Sequence, residues 1–147
     1  MGAYDRDFHA WAKEQGELIR SRSANAIDWD NVAEEIESLG RQESGELYSH
    51  LVVLLTHLLK WEFQPNRRSR SWRVTVFNQR SDIAKQLKRS PSLKAALQEE
   101  FDDAYPRARS QAELETRLPA TVFPGEPPFS MAQALDADWW PGEAADS

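Results

Sequence analysis

An apolar repeat with helical spacing constrains the fold of this chain more than any other feature. Its members recur every three or four residues, the spacing that places side chains on one face of a helix, and they are Val32, Ile36, Leu39, Leu47, Leu51, Leu54, Leu58 and Trp61. The segment Leu51–Leu59 is apolar on nearly every side, interrupted only by Thr56 and His57. A helix that is apolar all round is buried in a core. The repeat therefore predicts one long central helix of about 34 residues over 30–63.

The ends of this helix carry clear signals, and its middle leaves an alternative open. Asp28 is a strong N-cap residue, and Pro65 with the polar residues after it ends the helix. The repeat skips a position between Gly40 and Gly45, where a kink is the alternative to a straight run. A single helix is favoured because no turn-forming cluster separates the halves.

Three more helices are predicted around this one. Asp5 caps a first helix, and Tyr4 packs against Phe8 or Trp11 as a hydrophobic staple. A third helix turns its arginines and lysines outward and buries Trp72, Val76, Phe77, Ile83, Ala84 and Leu87. Ser90 and Pro91 begin a fourth helix, which Pro106 is expected to kink or break.

The C-terminal part of the chain is predicted to be irregular. Four prolines mark a surface loop over 119–129, and a latch over 130–141 follows, in which Ser130 and Gln133 form a capping box for a short last helix. No strand-like alternation, repeat or linker interrupts the pattern. The fold class is therefore all-α: a single helical domain over 1–147, with four main helices around a long central helix and a short C-terminal helix.

Composition excludes several classes of protein. The chain has no cysteine, so disulfides and thiolate metal sites are ruled out, and this absence fits a reducing cytoplasm. The charged N-terminus lacks the apolar run of a signal peptide. The longest nearly apolar stretch, Leu51–Leu59, is far shorter than the roughly 20 residues of a membrane helix. We therefore expect a soluble, cytoplasmic protein with no membrane partner.

Charge is distributed unevenly along the chain. Ten basic and two acidic residues lie in 60–94, whereas the whole chain has a net charge of −6. The basic segment 67–89 holds candidate anion-binding residues around Trp72, namely Arg67, Arg68, Arg70, Arg73 and Arg80. Arginine binds phosphate in a bidentate manner and an aromatic ring stacks on bases. The alternative is that the acidic stretch 34–37 neutralises this surface within the molecule, with one glutamate reaching Arg73 or Arg80.

His57 is the sharpest candidate for chemistry because it lies in the most apolar part of the chain. As a structural residue it donates a hydrogen bond to a carbonyl or carboxylate of a neighbouring helix. As a catalytic residue it faces a pocket that contains Lys60 and Gln64. His50 and His57 are too far apart on one helix to share an ion, so no metal site is expected.

No cofactor is expected either. Gly40 and Gly45 have the spacing of a phosphate-binding loop, but Glu46 and Leu47 stand where that motif needs lysine and serine or threonine. The acidic side chains of the central helix have simpler explanations. Glu37 and Arg41, for example, are spaced as an ion pair one turn apart.

Several separated segments resemble one bacterial protein family. They are Tyr4–Trp11 (YDRDFHAW), Asp28–Arg41 (DWDNVAEEIESLGR), Leu54–Pro65 (LLTHLLKWEFQP), Ser71–Arg73 (SWR), Ser90–Leu93 (SPSL) and Leu135–Pro141 (LDADWWP). In this order they resemble the family known as domain of unknown function number 29. The resemblance implies a helical bacterial protein and brings no activity with it.

Three functions therefore remain as hypotheses. The first is a non-enzymatic helical protein that acts through a protein partner, either a second copy or another protein. The second, less favoured, is a nucleic-acid-binding protein that uses the basic segment. The third is an enzyme with a pocket centred on His57.

Overall fold

Long helices make up most of the chain in a computed structural model that describes residues 2–142. Within that range six α-helices follow one another and no strand occurs. They are α1 (Ala3–Arg6), α2 (Phe8–Arg20), α3 (Trp29–Phe63), α4 (Arg70–Arg89), α5 (Leu97–Thr116) and α6 (Met131–Leu135). Four of the six are long, and the predicted all-α class is confirmed.

Helix α3 is continuous, as the favoured prediction has it. It passes Gly40 and Gly45 without interruption over 35 residues. At its start the Asp28 carbonyl accepts the Val32 N–H at 2.9 Å. The Asp28 carboxylate accepts hydrogen bonds from Asn31 at 2.8 Å and from the Trp11 indole at 3.0 Å. These bonds favour the ionised form and lower the pKa of Asp28.

The chain packs as two compact units, Met1–Glu43 and Ser44–Ser147, and α3 contributes to both. In the first unit the predicted cap at Asp5 is wrong. Asp7 has a non-helical backbone that ends α1, and its side chain accepts the Ala10 N–H at 3.0 Å to cap α2. The predicted staple is confirmed, because the Tyr4 ring lies 4.6 Å from the Trp11 ring and 5.8 Å from the Phe8 ring.

The second unit contains the main hydrophobic core. Leu51, Leu54 and Leu58 have no exposed surface, as predicted. Around them pack buried side chains of α4, α5 and the segments that follow, which include Val76, Ile83, Phe101, Tyr105, Phe123 and Phe129. The buried half of α3 is therefore the centre of this unit.

Helix α4 is oriented differently from the prediction. Phe77 is 69% exposed and Ala84 is also exposed, whereas Arg80 is only 6% exposed. Arg80 stands four residues after Val76 and three before Ile83, so it shares their buried face. The prediction assumed that an arginine would face water, and it failed because the Arg80 guanidinium finds acceptors inside the protein.

The predicted fourth helix also differs in detail. Residues Pro91–Ala96 form a 3₁₀ turn, and the α-helix begins only at Leu97. Helix α5 then continues through Pro106, so a break at this proline is wrong. Pro106 and Asp102 are both exposed. The Asp102 carbonyl, which loses its usual N–H donor to the proline, therefore lies on a water-facing side of the helix.

The proline-rich loop is tied to α5 instead of lying free on the surface. Its Phe123 and the following Phe129 are buried. Tyr105 donates its hydroxyl to the Pro124 carbonyl at 2.7 Å, and Arg109 donates to the Phe123 carbonyl at 3.0 Å. Beyond the loop, the predicted capping box of Ser130 and Gln133 is confirmed. A single domain over 1–147 stays a prediction.

Candidate functional site

Three arginines of the basic segment, Arg68, Arg73 and Arg80, stack on tryptophan rings. Trp61, near the end of α3, is almost fully buried and lies 4.4 Å from the ring of Trp140. The Arg73 guanidinium lies 4.7 Å from the Trp61 ring and 5.2 Å from the Trp140 ring. Arg68 lies 4.8 Å from the Trp61 ring and donates from Nε to the Trp61 carbonyl at 2.8 Å. Such cation–π contacts hold the guanidinium groups in place.

Arg80 holds the C-terminal segment, residues 134–139, against α4. Its guanidinium donates to the carbonyls of Ala134 at 2.8 Å, Ala137 at 3.4 Å and Trp139 at 2.8 Å. Burial lowers the pKa of Arg80, and the negative charges of Asp136 and Asp138 oppose that shift. Asp136 and Asp138 of the C-terminal segment are therefore acidic groups near Arg80. The hydrogen bonds of Arg80 go to backbone oxygens of the same segment.

The structure thus divides the predicted anion-binding residues into two groups. Arg67, Arg70 and Arg73 are exposed and Arg68 is partly exposed, whereas Arg80 is buried. Arg68, Ser69, Arg70 and Arg73 line a cavity of about 370 Å³ together with Trp61. Arg80 is not part of that cavity's lining, and its predicted outward orientation is wrong because the C-terminal segment covers it.

A second cavity of about 370 Å³ lies between α3 and α5 and contains His57. Its lining combines two valines with polar and charged side chains: Tyr48, Ser49, Val52, Val53, Thr56, His57, Arg107, Gln111 and Glu115. His57 Nδ1 lies 2.8 Å from the Val53 carbonyl. A carbonyl only accepts, so Nδ1 carries the proton and Nε2 is left as an acceptor. The predicted contact to a carbonyl is present, but the carbonyl belongs to the same helix.

Burial also sets the charge of His57. Desolvation lowers its pKa and nearby Lys60 adds to that effect, while the Val53 carbonyl and Glu115 oppose it. Since the net shift is downward from 6.5, the imidazole is neutral at pH 7.

Lys60 joins the edge of this cavity through Glu115. Lys60 Nζ lies 2.8 Å from one oxygen of Glu115, and the Gln111 amide donates to the other at 2.8 Å. Burial raises the pKa of Glu115, but these two hydrogen bonds and the nearby charges outweigh it, and the net shift is downward. Lys60 also lies 4.8 Å from the Trp72 ring. Of the three catalytic candidates, His57 and Lys60 are thus brought together.

Gln64 is placed elsewhere. It stands before the 3₁₀ turn Pro65–Arg67, accepts the Arg67 N–H through its carbonyl at 2.9 Å, and does not line the His57 cavity. The residues that sequence reasoning missed are Arg107, Gln111 and Glu115. They recur every four residues on α5, a spacing that puts them on one face. That spacing could be seen in the sequence, but no neighbouring residue shows that this face of α5 lies against His57.

The first half of α3 exposes an apolar stripe, which we call the α3 stripe. It consists of Trp29, Ile36 and Leu39, with exposed fractions of 56%, 63% and 64%. Ile36 and Leu39 are members of the apolar repeat of the sequence, and no element within residues 2–142 covers them.

Helix α4 carries a second exposed apolar surface, which we call the α4 groove. It is a cavity of about 260 Å³ with a mainly apolar lining, formed by Phe77, Arg80, Ser81, Ala84, Leu135, Ala137 and Trp140. Val74, one turn before Phe77, is half-exposed and extends the apolar surface. The basic residues of α4 near this groove include Lys85 and Lys88, both exposed.

Neither a metal-binding cluster of side chains nor a membrane-spanning helix is present among the described residues. Among residues 2–142, no group of three or more histidine, aspartate or glutamate side chains is arranged to hold a metal ion. No helix in the same range combines the length and apolar character needed to cross a membrane.

Comparison with known proteins identifies the family. The family model described as domain of unknown function DUF29 matches residues 3–140. No curated protein and no solved structure matches the chain. Because the family model spans almost the entire sequence, the chain belongs to the DUF29 family, whose function is unknown.

Proposed function

We propose that this protein is a non-enzymatic cytoplasmic protein that acts by protein–protein contact, with a second copy of the same chain as its partner. The observation that carries the proposal is the α3 stripe, whose three large apolar side chains are each more than half exposed. Positions 29, 36 and 39 lie within one face of the helix. Grouped apolar side chains of this kind mark interaction surfaces, and burying them is favourable by about 25 cal/mol per Å².

The α4 groove supplies a surface of matching character. It is concave and mainly apolar, and Phe77 lies at its side with most of its ring in water. Interfaces gain most of their energy from a few large side chains that enter such pockets. We therefore infer that the α3 stripe of one copy docks in the α4 groove of another.

Charge supports contact between these two unlike surfaces. Residues 1–43 contain ten acidic and five basic residues, and exposed Asp30 and Glu37 directly follow Trp29 and Ile36. Helix α4 contains six basic residues and one acidic residue. Opposite charges around two apolar surfaces steer them together, whereas stripe against stripe would bring acids together. The contact is therefore heterologous, joining different faces of two copies.

Sedimentation velocity tests the proposal directly. The weight-average mass of the wild-type protein should rise above the 16.9 kDa of one chain as its concentration increases to about 100 μM. Leu39→Asp should keep the protein monomeric. The matched control is Leu114→Asp on α5, which changes a leucine that is 75% exposed and lies outside both surfaces.

A mixing experiment tests which surfaces meet. Leu39→Asp removes the stripe and leaves the groove, and Phe77→Asp does the reverse. Each variant alone should be monomeric, while an equimolar mixture should associate because each contributes one intact surface. A wild-type monomer at every concentration would contradict the proposal, as would equal loss of association in Leu114→Asp. If the protein associates with a different protein and not with itself, that protein takes the place of the second copy as the partner in this proposal.

Nucleic-acid binding is the second candidate, and the arginine-lined cavity around Ser69 favours it. Arg67 and Arg70 are exposed and free to meet phosphate, but Arg68, Arg73 and Arg80 are engaged with indole rings or carbonyls. We expect weak binding at physiological salt, with dissociation constants of about 10⁻⁴ M or poorer. Micromolar binding that is lost in an Arg67→Glu, Arg70→Glu double variant would make this the leading function.

A further inference from the structure

The His57 cavity has charges of opposite sign at different positions along its length. Arg107, Gln111 and Glu115 all line it from α5. Arg107 and Glu115 are eight residues apart, which is about 12 Å along a helix. The hydrogen bonds from Lys60 and Gln111 keep Glu115 ionised. The lining of this cavity therefore presents a guanidinium and, about two turns further along α5, a carboxylate that is also paired with Lys60.

Helix α3 supplies matching groups along the opposite wall. The Thr56 hydroxyl lies 3.4 Å from the Ala108 carbonyl, and Lys60 contacts Glu115 further along both helices. The charges of Lys60 and Glu115 both act on His57, so the imidazole lies near this ion pair. Its Nε2 is an acceptor because Nδ1 donates to the Val53 carbonyl. Gln111 uses its amide N–H on Glu115, which leaves its oxygen as a further acceptor.

Part of the α3 wall of the cavity is apolar. Val52 and Val53 contribute their side chains to the lining, and Thr56 has committed its hydroxyl proton to the Val52 carbonyl at 2.7 Å. An apolar chain placed against these side chains takes no hydrogen-bond partner away from them. The cavity volume of about 370 Å³ lies within the range of small-molecule sites.

We propose that this cavity binds a small linear zwitterion, in which an ammonium and a carboxylate are separated by an apolar chain of several bonds. Arg107 binds the carboxylate, an anion that a guanidinium matches with two parallel hydrogen bonds. Glu115, with the acceptors of His57 and Gln111, receives the ammonium. The valines supply an apolar wall for the chain. This ligand site is independent of the self-association surfaces.

Isothermal titration calorimetry with four related probes tests this assignment. The first probe, 6-aminohexanoate, is a linear zwitterion of the proposed kind. The second and third, hexanoate and hexylamine, each lack one of its charges. Norleucine is its isomer, with the ammonium moved next to the carboxylate. We expect 6-aminohexanoate to bind with a dissociation constant of about 1 mM or tighter, at least tenfold tighter than the other three. Norleucine binding equally well would overturn the separation of charges, and equal binding of hexanoate or hexylamine would overturn the need for both.

Variants locate the two ends of the ligand. Arg107→Gln should weaken 6-aminohexanoate at least tenfold and leave hexylamine unchanged. Lys94→Gln, which removes an exposed cation outside the cavity, should leave both unchanged. Glu115→Gln removes the charge and keeps one acceptor oxygen, and thermal melting shows whether it is folded. A folded Glu115→Gln protein should lose the preference of 6-aminohexanoate over hexanoate.

NMR gives a second readout that needs no variant to fold. The ring signals of His57 should move on titration with 6-aminohexanoate, while those of His9 and His50, which lie outside the cavity lining, should stay in place. Movement of all three histidines together, or of none at saturating probe, would overturn the site.

Discussion

The two halves of α3 carry the same apolar repeat and end in opposite environments. Leu54, in the second half, has no exposed surface, whereas Leu39, in the first half, is 64% exposed. Both residues belong to the same apolar repeat. The second half is covered by α4, α5 and the segments that follow. The difference shows that a helical stripe reveals which face is apolar but not whether the chain contains anything to cover it.

The ion pairs of the two halves also differ in how far they are exposed to water. The first half carries the ion pair of Glu34 and Arg41, whose side chains are both more than half exposed, and Arg41 pairs with Glu34 two turns away instead of with Glu37 as predicted. The second half carries the pair of Lys60 and Glu115, with Lys60 buried. Water screens the first pair and is largely kept from the second.

The largest expected effect comes from truncating a leucine in each half. Leu54→Ala should lower the free energy of unfolding by about 2–5 kcal/mol, through lost apolar burial and the cavity left behind. Leu39→Ala should change it by less than about 0.5 kcal/mol, because that side chain is in water. Urea denaturation of both variants, below the concentration at which copies associate, measures the contrast. Equal losses would mean that the two halves are equally buried.

Removing Arg80 tests what covers the second half. Arg80→Met keeps the length of the side chain but leaves carbonyls of Ala134, Ala137 and Trp139 without their donor. The free energy of unfolding should fall by about 1–3 kcal/mol. Lys88→Met, on the exposed side of the same helix, is the control and should stay within about 0.5 kcal/mol. If the two variants melt alike, Arg80 does not hold the C-terminal segment.

The pH dependence of stability should reveal the buried histidine. The pKa of His57 lies below its ordinary value of 6.5 in the folded protein. The unfolded chain therefore binds a proton that the folded protein does not, and stability decreases as pH falls below 6.5. His57→Gln should remove this part of the decrease while changing stability at pH 8 only slightly. An unchanged pH profile in the variant would assign the decrease to other groups.

The smallest effect is expected for the exposed ion pair. Arg41→Gln should change the free energy of unfolding by less than about 0.5 kcal/mol, since exposed pairs contribute little and salt screens them. Lys60→Met should cost more, because it leaves a partly buried Glu115 without its cation. Thermal melts at low and high salt compare the two. A larger loss for Arg41→Gln would contradict the difference in burial between the halves.

The sequence by itself determined the elements of this fold. Helical periodicity, the proline after α3 and the cap residues Asp28 and Ser130 act within a few residues, so they were readable without any knowledge of neighbours. The buried leucines of α3 followed as well, because a segment that is apolar on every face has no side that tolerates water. Even the staple of Tyr4 on Trp11 is a local contact.

Only the tertiary structure decided which surfaces are covered and which polar groups meet. Arg80 is buried because carbonyls from more than fifty residues away surround it, and His57 shares a cavity with Glu115 because α5 packs beside α3. No local pattern encodes such pairs, since each partner is chosen by how distant helices pack. Ile36 and Leu39 share the spacing of the buried leucines, but burial also depends on a covering element, which residues 2–142 do not supply.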